Sequence, residues 1–148
     1  MIDTLLIDVD GVLTNGKQYV DHHGKKMFKA FHSRDIAAIR ELVSVEGVRV
    51  ILISADDWPG GLKWAQKVGA EYVHLRDKTK IDVEWEYCAG VGDDVWDVKF
   101  LHKCRQRFCP ADAHESVKRE CVTLQSKGGQ GVIAELVYRG YLHLTQTA

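Results

Sequence analysis

The residues able to do chemistry begin in the stretch "TLLIDVDGVLTNG", positions 4 to 16. Asp8 and Asp10 are one residue apart, so on an extended backbone both carboxylates project to the same side and converge on one spot. Carboxylates that close repel each other unless a cation or a proton sits between them. Gly11 lets the chain turn away sharply. Similar groups end other apolar segments: Ser54 closes "VRVILIS", with Asp56 and Asp57 just beyond, and Lys78 follows a short strand-like run. Asp93 and Asp94 close "YCAGVGDD", with Asp97 a turn later. Singly, a strand-end Ser is usually a helix cap, a Lys opening a helix is usually solvated, and Gly-Asp-Asp is often only a turn. As a set they suit phosphoryl transfer. Asp8 is a competent nucleophile toward a phosphoryl group. Mg²⁺ held by Asp8, Asp93 and a backbone carbonyl near Asp10 would offset its repulsion from an anionic substrate. Ser54 and Lys78 would bind the remaining phosphoryl oxygens. Asp10 would protonate the leaving alkoxide and then deprotonate the attacking water.

These groups need a frame that brings four segment ends together. Thr4 to Ile7 reads as a strand covered on both faces. "NGKQYVDHHGKKMFKAF" alternates weakly around Gly24 and reads as a β-hairpin, a flap over about residues 16–30 projecting from the core. In "SRDIAAIRELVSVEG", Ser33 is the expected N-cap, Ile36, Ile39, Leu42 and Val43 keep helical spacing, and Gly47 ends the helix. After the second apolar strand, a turn through Pro59, Gly60 and Gly61 leads to a helix from Leu62 to Val68. A strand from Glu71 to His74, a helix from Lys78 to Glu86, a weaker strand in "YCAGV" and a helix from Val98 to Cys104 follow. "RQRFCPADA" supplies another strand, and "SKGGQGV" is a glycine-rich loop before a last helix over Ile133 to Leu142. Strands alternating with helices predict an α/β fold, a doubly wound and mainly parallel sheet with helices on both faces. In such sheets ligands sit beyond the carboxyl ends of the strands, which is where the acids, Ser54 and Lys78 fall.

The 148 residues fit one domain able to bury a core. A net charge of −1 gives no electrostatic case for nucleic acid or an anionic membrane surface. No apolar run approaches the roughly 20 residues of a membrane span, and no segment reads as a signal peptide. Cys88, Cys104, Cys109 and Cys121 form no CxxC pair and read as reduced, mostly packed thiols. A cytoplasmic location is expected.

"DVDGVLTNG", the strand-end Ser54, Lys78 and "GDDVWD" together resemble the four motifs of the haloacid dehalogenase (HAD) phosphohydrolase superfamily. The nearer resemblance is to its small capless phosphatases of 3-deoxy-octulosonate 8-phosphate and of nonulosonate 9-phosphates. The phosphatase-like C-terminal domain of vertebrate CMP-sialate synthetases belongs to the same group. "FHSRDIAAI", "ILIS", "DKTKIDVEW", "PADA" and the late GGxG extend the likeness over essentially the whole chain. The resemblance implies a Rossmann-like core without a cap domain, Asp8 as nucleophile and Asp10 as acid/base. It also implies an Mg²⁺ site from Asp8, Asp10 and Asp93, with Ser54 and Lys78 as phosphate ligands and Asp94 and Asp97 as supporting acids. A homotetramer, in which a neighbouring subunit covers each site through the hairpin, is implied as well.

Two positions depart from the family pattern: Asp35-Ile36 stands where Asp-Gly is usual, and Ala134-Glu135 where Arg-Glu is usual. That arginine is associated with the substrate's carboxylate, so its absence bears on substrate identity and not on phosphoryl chemistry. Octulosonate phosphatases usually carry Arg two residues after the strand-end hydroxyl, and nonulosonate phosphatases tend to carry Glu; here Asp56 stands there. A carboxylate accepts hydrogen bonds from sugar hydroxyls and can hold a nearby cation. Lys67, reaching a neighbouring subunit's site, would meet the substrate's carboxylate, and Lys63 would replace an arginine that this chain lacks; spaced i and i+4, the two lysines equally read as a solvated helix face. The expected substrate is a phosphorylated keto-sugar acid, a nonulosonate 9-phosphate ahead of an octulosonate 8-phosphate. Two other readings keep the same residues: a receiver-like phosphoacceptor domain, and a non-catalytic oligomerisation module of a sugar-activation pathway.

Overall fold

The structure, a computed structural model, describes residues 1–145. Its centre is a six-stranded, all-parallel sheet in the order β5-β4-β1-β6-β7-β8. The strands are β1 (Thr4–Asp8), β4 (Arg49–Ser54), β5 (Glu71–His74), β6 (Cys88–Val91), β7 (Gln106–Cys109) and β8 (Val122–Thr123). A separate antiparallel pair, β2 (Tyr19–Val20) and β3 (Lys26–Phe28), forms the expected hairpin, with Tyr19 stacked on Phe28 at 4.7 Å. The helices are α1 (Ser33–Ser44), α2 (Gly60–Val68), α3 (Val98–Lys103), α4 (Glu115–Lys118) and α5 (Val132–Tyr138).

The continuous apolar runs of β1 and β4 are explained by burial on both faces. Leu5, Ile7, Val50 and Leu52 pack with Ile39 and Leu42 of α1, Ala65 and Val68 of α2, and Ile133 and Leu136 of α5. The alternate residues Leu6, Ile51 and Ile53 pack with Phe100 and Leu101 of α3 and Val117 of α4 on the other face. Because successive strand side chains point to opposite sides, one run feeds two cores. This is the doubly wound architecture that the alternation of segments predicts.

Several local expectations are corrected. The N-cap of α1 is His32, whose Nδ1 accepts the Arg34 N–H at 3.1 Å, and not Ser33. No helix spans Lys78 to Glu86; two 3₁₀ turns, Lys78–Lys80 and Trp85–Tyr87, stand there instead. The cause is legible in hindsight: Ile81, Val83 and Trp85 recur every second residue, and all three pack toward the second core. α5 stops at Tyr138, before Gly140 at φ +69°, so Leu142 lies beyond it. α4 and β8 are short elements with too few residues to leave a periodic signal. Cys88, Cys104 and Cys109 are buried and all four thiols are free, as expected.

Candidate active site

The site forms at the carboxyl ends of β1, β4 and β6, where backbone pairing stops and side chains can face one another. Asp8 is the last residue of β1, and the chain then makes a single wide turn over Val9–Leu13. Gly11 adopts φ +89°, and a Cβ there would lie 1.7 Å from Asp93 Oδ2. No other residue fits that place: both the conformation and the contact exclude a side chain. The glycine-rich loop packs against the same turn. A Cβ on Gly128 would lie 2.0 Å from the Gly11 carbonyl oxygen, and Gly129 N–H donates to Val12 O at 3.0 Å. "SKGGQG" is therefore a backbone-to-backbone buttress for the loop that carries Asp10.

Asp8, Ser54, Lys78 and Asp97 are all buried. Lys78 Nζ donates to Asp8 Oδ1 at 2.7 Å and to Asp97 Oδ1. Burial alone would lower the Lys78 pKa, but those two carboxylates hold it well above its usual value, so it stays an ammonium. Asp97 Oδ2 accepts the N–H groups of Asp93 at 2.9 Å and Asp94 at 3.2 Å. Asp94 caps the short Val95–Asp97 turn. Asp97 thus fixes both Lys78 and the Gly-Asp-Asp backbone. Ser54 Oγ accepts the Asp56 N–H at 3.0 Å, which leaves its hydroxyl proton free to donate.

Carboxylate oxygens of Asp8, Asp93 and Asp97 lie within 4.8 Å of one another. Burial first, then the nearby charges of Asp97 and Asp93, raises Asp8 well above the ordinary carboxylate range. Burial together with Asp97 and Asp94 pushes Asp93 up to about 7. Lys78 brings one positive charge to these three acids, and a small divalent cation with a preference for oxygen ligands fits the remaining donor set. Asp97 already spends its oxygens on Lys78 and two N–H groups, which leaves Asp8 and Asp93 as the side chains with free lone pairs.

Asp10 lines the same cavity as Asp8. It lies in the turn past the strand, at φ −78° and ψ 122°, and its carboxylate is absent from that three-acid cluster. It pairs instead with Lys29 of the hairpin, Nζ lying 2.8 Å from Oδ1. Lys29 also bridges to Asp56 Oδ2 at 2.8 Å, and Lys26 pairs with the same oxygen. Burial would raise the Asp56 pKa, yet the two lysines bring it down to about 2. Lys29 and Lys26 were not legible as site residues, since nothing in the local spacing sets them apart from other hairpin lysines. Lys63 and Lys67 stand on the exposed face of α2 and do not line the cavity; Arg40 takes only the Lys67 backbone carbonyl, at 2.9 Å. Asp8, Asp10, Asp94 and Asp97 line a cavity of about 590 Å³ with Lys78, Arg76 and Trp96.

No family model matches the chain. Among curated proteins it is 30% identical over 146 residues to the 3-deoxy-D-manno-octulosonate 8-phosphate phosphatase of Haemophilus influenzae, covering 91% of this chain and 80% of that one. It is also 28% identical over 147 residues to N-acylneuraminate cytidylyltransferase A of Danio rerio, covering 91% of this chain but 34% of that one. Among solved structures, the cobalt-bound deoxy-D-mannose-octulosonate 8-phosphate phosphatase of Haemophilus influenzae superposes with a TM-score of 0.83 at 28% identity, over 93% of this chain and 88% of that chain. The corresponding phosphatase of Yersinia pestis gives 0.84 at 26% identity, over 92% and 78%. With the fold, the strand-end acids and these likenesses in agreement, the chain belongs to the 3-deoxy-D-manno-octulosonate 8-phosphate phosphatase family of HAD-type phosphoric monoester hydrolases.

Proposed function

We propose that this protein is a capless, single-domain Mg²⁺-dependent phosphatase that hydrolyses a phosphorylated keto-sugar acid through an aspartyl-phosphate on Asp8. The observation that carries the reading is the buried Asp8–Lys78–Asp97 arrangement beside Asp93, which holds a nucleophile and an ammonium in contact at 2.7 Å. Asp8 and Asp93, with the Asp10 backbone carbonyl, are the groups that would hold Mg²⁺, which when bound supplies charge neutralisation for the carboxylate and the phosphoryl oxygens. Asp8 Oδ attacks phosphorus and the ester oxygen leaves. Lys78 Nζ and the Ser54 hydroxyl donate to the phosphoryl oxygens as negative charge builds on them. Asp10, held by Lys29 at the cavity wall, gives its proton to the leaving alkoxide and then takes one from the water that hydrolyses the acyl phosphate.

The substrate reading is a nonulosonate 9-phosphate ahead of a 3-deoxy-octulosonate 8-phosphate. Asp56 supports it: where an arginine would present a cation directly, this carboxylate gathers Lys26 and Lys29 at the same place. Lys63 and Lys67 enter this reading only from a second copy of the chain. The hairpin supports a homotetramer, because it exposes Val20, Met27 and Phe28. A cytoplasmic location accords with that chemistry; among the described residues no helix is long and apolar enough to cross a membrane.

The test is phosphate release from both sugar-acid phosphates with Mg²⁺. Asp8→Asn is expected to cut turnover by roughly 10⁴-fold or more while circular dichroism is unchanged, since the substitution removes the nucleophile and relieves repulsion without altering shape. Full activity in Asp8→Asn, or in excess chelator, refutes the mechanism. A higher kcat/KM for the 8-phosphate refutes the substrate order.

A further inference from the structure

Lys29 stands one residue past β3, and its side chain is only 4% exposed. Its Nζ lies 2.8 Å from Asp10 Oδ1, 3.0 Å from Asp10 Oδ2 and 2.8 Å from Asp56 Oδ2. The same ammonium sits 5.4 Å from the centroid of the Trp58 ring. Asp56 is itself fixed on two sides: Oδ1 accepts the Trp58 N–H at 3.2 Å, and the Asp56 N–H donates to Ser54 Oγ at 3.0 Å. Asp10 is held far less. Its side chain is 38% exposed, and apart from Lys29 its carboxylate takes, among the described residues, only a long contact from the Thr14 hydroxyl at 3.5 Å. Lys29 therefore ties a loosely held acid to a firmly held one.

The inference deepens the reading of Asp10 as acid and base, and rests on it. In the first half of that reaction a bond forms from Asp8 Oδ to phosphorus and the P–O bond to the alcohol breaks. The Asp10 proton passes to the departing oxygen, which leaves Asp10 a carboxylate. An ammonium in contact with Asp10 bears on this transfer twice. It donates to the carbonyl oxygen of the protonated carboxyl, which leaves the other oxygen to carry and deliver the proton. It also stabilises the carboxylate that the transfer creates. We propose that Lys29 is a positioning residue for the proton transfer: it orients the Asp10 carboxyl, using Asp56 as its anchor, so that a poor leaving group receives its proton as the P–O bond breaks. Lys26 has no such part, since it pairs with Asp56 and not with Asp10.

The readout is the ratio of kcat/KM values for benzyl phosphate over p-nitrophenyl phosphate, both with Mg²⁺. Each ester carries one aromatic ring and no carboxylate, and kcat/KM covers the steps up to departure of the alcohol. Benzyl alkoxide needs a proton to leave, whereas p-nitrophenolate is stable without one, so losses in folding, metal binding or phosphate binding cancel in the ratio. Lys29→Met, which keeps the length of the side chain in a buried place, is expected to lower the ratio roughly 10- to 100-fold. Lys29→Gln, a second variant that keeps a shorter N–H donor without the charge, lowers it in the same direction by less. Lys26→Met removes the neighbouring pair on Asp56 without touching Asp10, and leaves the ratio within about twofold. In an Asp10→Asn background, where the ratio has already fallen, Lys29→Met lowers it no further. A Lys29→Met ratio within about twofold of the unaltered protein overturns the proposal, as does an equal fall with Lys26→Met or a further fall in the Asp10→Asn background. The parent reading fails separately. No Mg²⁺-dependent release from p-nitrophenyl phosphate by the unaltered protein overturns the phosphatase, and an unchanged ratio in Asp10→Asn overturns the acid role of Asp10 and that of Lys29 with it.

Discussion

Asp35 gives the prediction with the clearest magnitude. It is fully buried in the first turn of α1, where Oδ1 accepts the Ala134 N–H at 2.9 Å and ties α1 to the start of α5. Oδ2 has no partner. Burial raises its pKa to about 6 from 3.8, against the backbone N–H groups of Ala134 and Ile133 and the neighbouring His32, which lower it. An acid with a raised native pKa binds its proton more tightly when folded, so the native state gains stability as pH falls through the folded value toward the unfolded one. Between pH 7.5 and pH 5 the two pKa values give a gain of about 1.4 kcal/mol from this residue alone. The site acids also titrate, so the measurement must be a difference. Urea unfolding of the unaltered protein and of Asp35→Asn, each at pH 7.5 and pH 5, supplies it. Asparagine keeps the acceptor for Ala134 and removes the proton. The stability of the unaltered protein relative to Asp35→Asn is expected to rise by about 1.4 kcal/mol on acidification. Parallel pH dependences for the two proteins refute the argument that Asp35 is ionised at neutral pH against its surroundings.

Two further outcomes are expected. Gly128→Ala forces a Cβ against the Gly11 carbonyl oxygen 2.0 Å away, so unfolding in urea should show a loss of about 1–3 kcal/mol and kcat should fall as Asp10's loop shifts; unaltered kcat refutes the buttress. Light scattering at micromolar concentration should give a tetramer, and deletion of residues 17–29 a smaller species with poorer sugar-acid recognition; a monomer before deletion refutes the assembly.

The proposed catalytic set was legible because a parallel sheet places function at strand carboxyl ends, and the apolar runs of β1, β4 and β6 stop at Asp8, at Ser54 and just before Gly92-Asp93-Asp94. Asp8, Ser54 and the Gly-Asp-Asp of β6 needed only that rule and the alternation of segments. What could not be read was pairing across sequence distance. Lys29 is separated from Asp10 by 19 residues and from Asp56 by 27, and hairpin lysines look alike until the hairpin folds over the site. Asp10 shares a cavity with Asp8, as their spacing implied, but its pairing with Lys29 of the hairpin could not be read from that spacing. Lys78 to Glu86 misled for the opposite reason. Its charged residues suit a helix, while Ile81, Val83 and Trp85 keep a two-residue period that the second core enforces.

Asp97 shows why the number of acids at such a site is a poor guide to the number of metal ligands. Its position within 4.8 Å of Asp8 and Asp93 would make it a third ligand by proximity. Its oxygens are nonetheless aimed elsewhere, at Lys78 and at the N–H groups of Asp93 and Asp94. Lys78 is held by two carboxylates while burial works against its charge; in the proposed mechanism the charge of Asp8 would be drawn into bonding with phosphorus, and Asp97 would be the partner that Lys78 keeps. The hydrogen bond to Asp97 favours the charged form of Lys78 and keeps its Nζ in place. The acid therefore acts on the reaction through the lysine and the Gly-Asp-Asp backbone, and its charge also raises Asp8 and Asp93, which increases the attraction that a divalent cation finds between them.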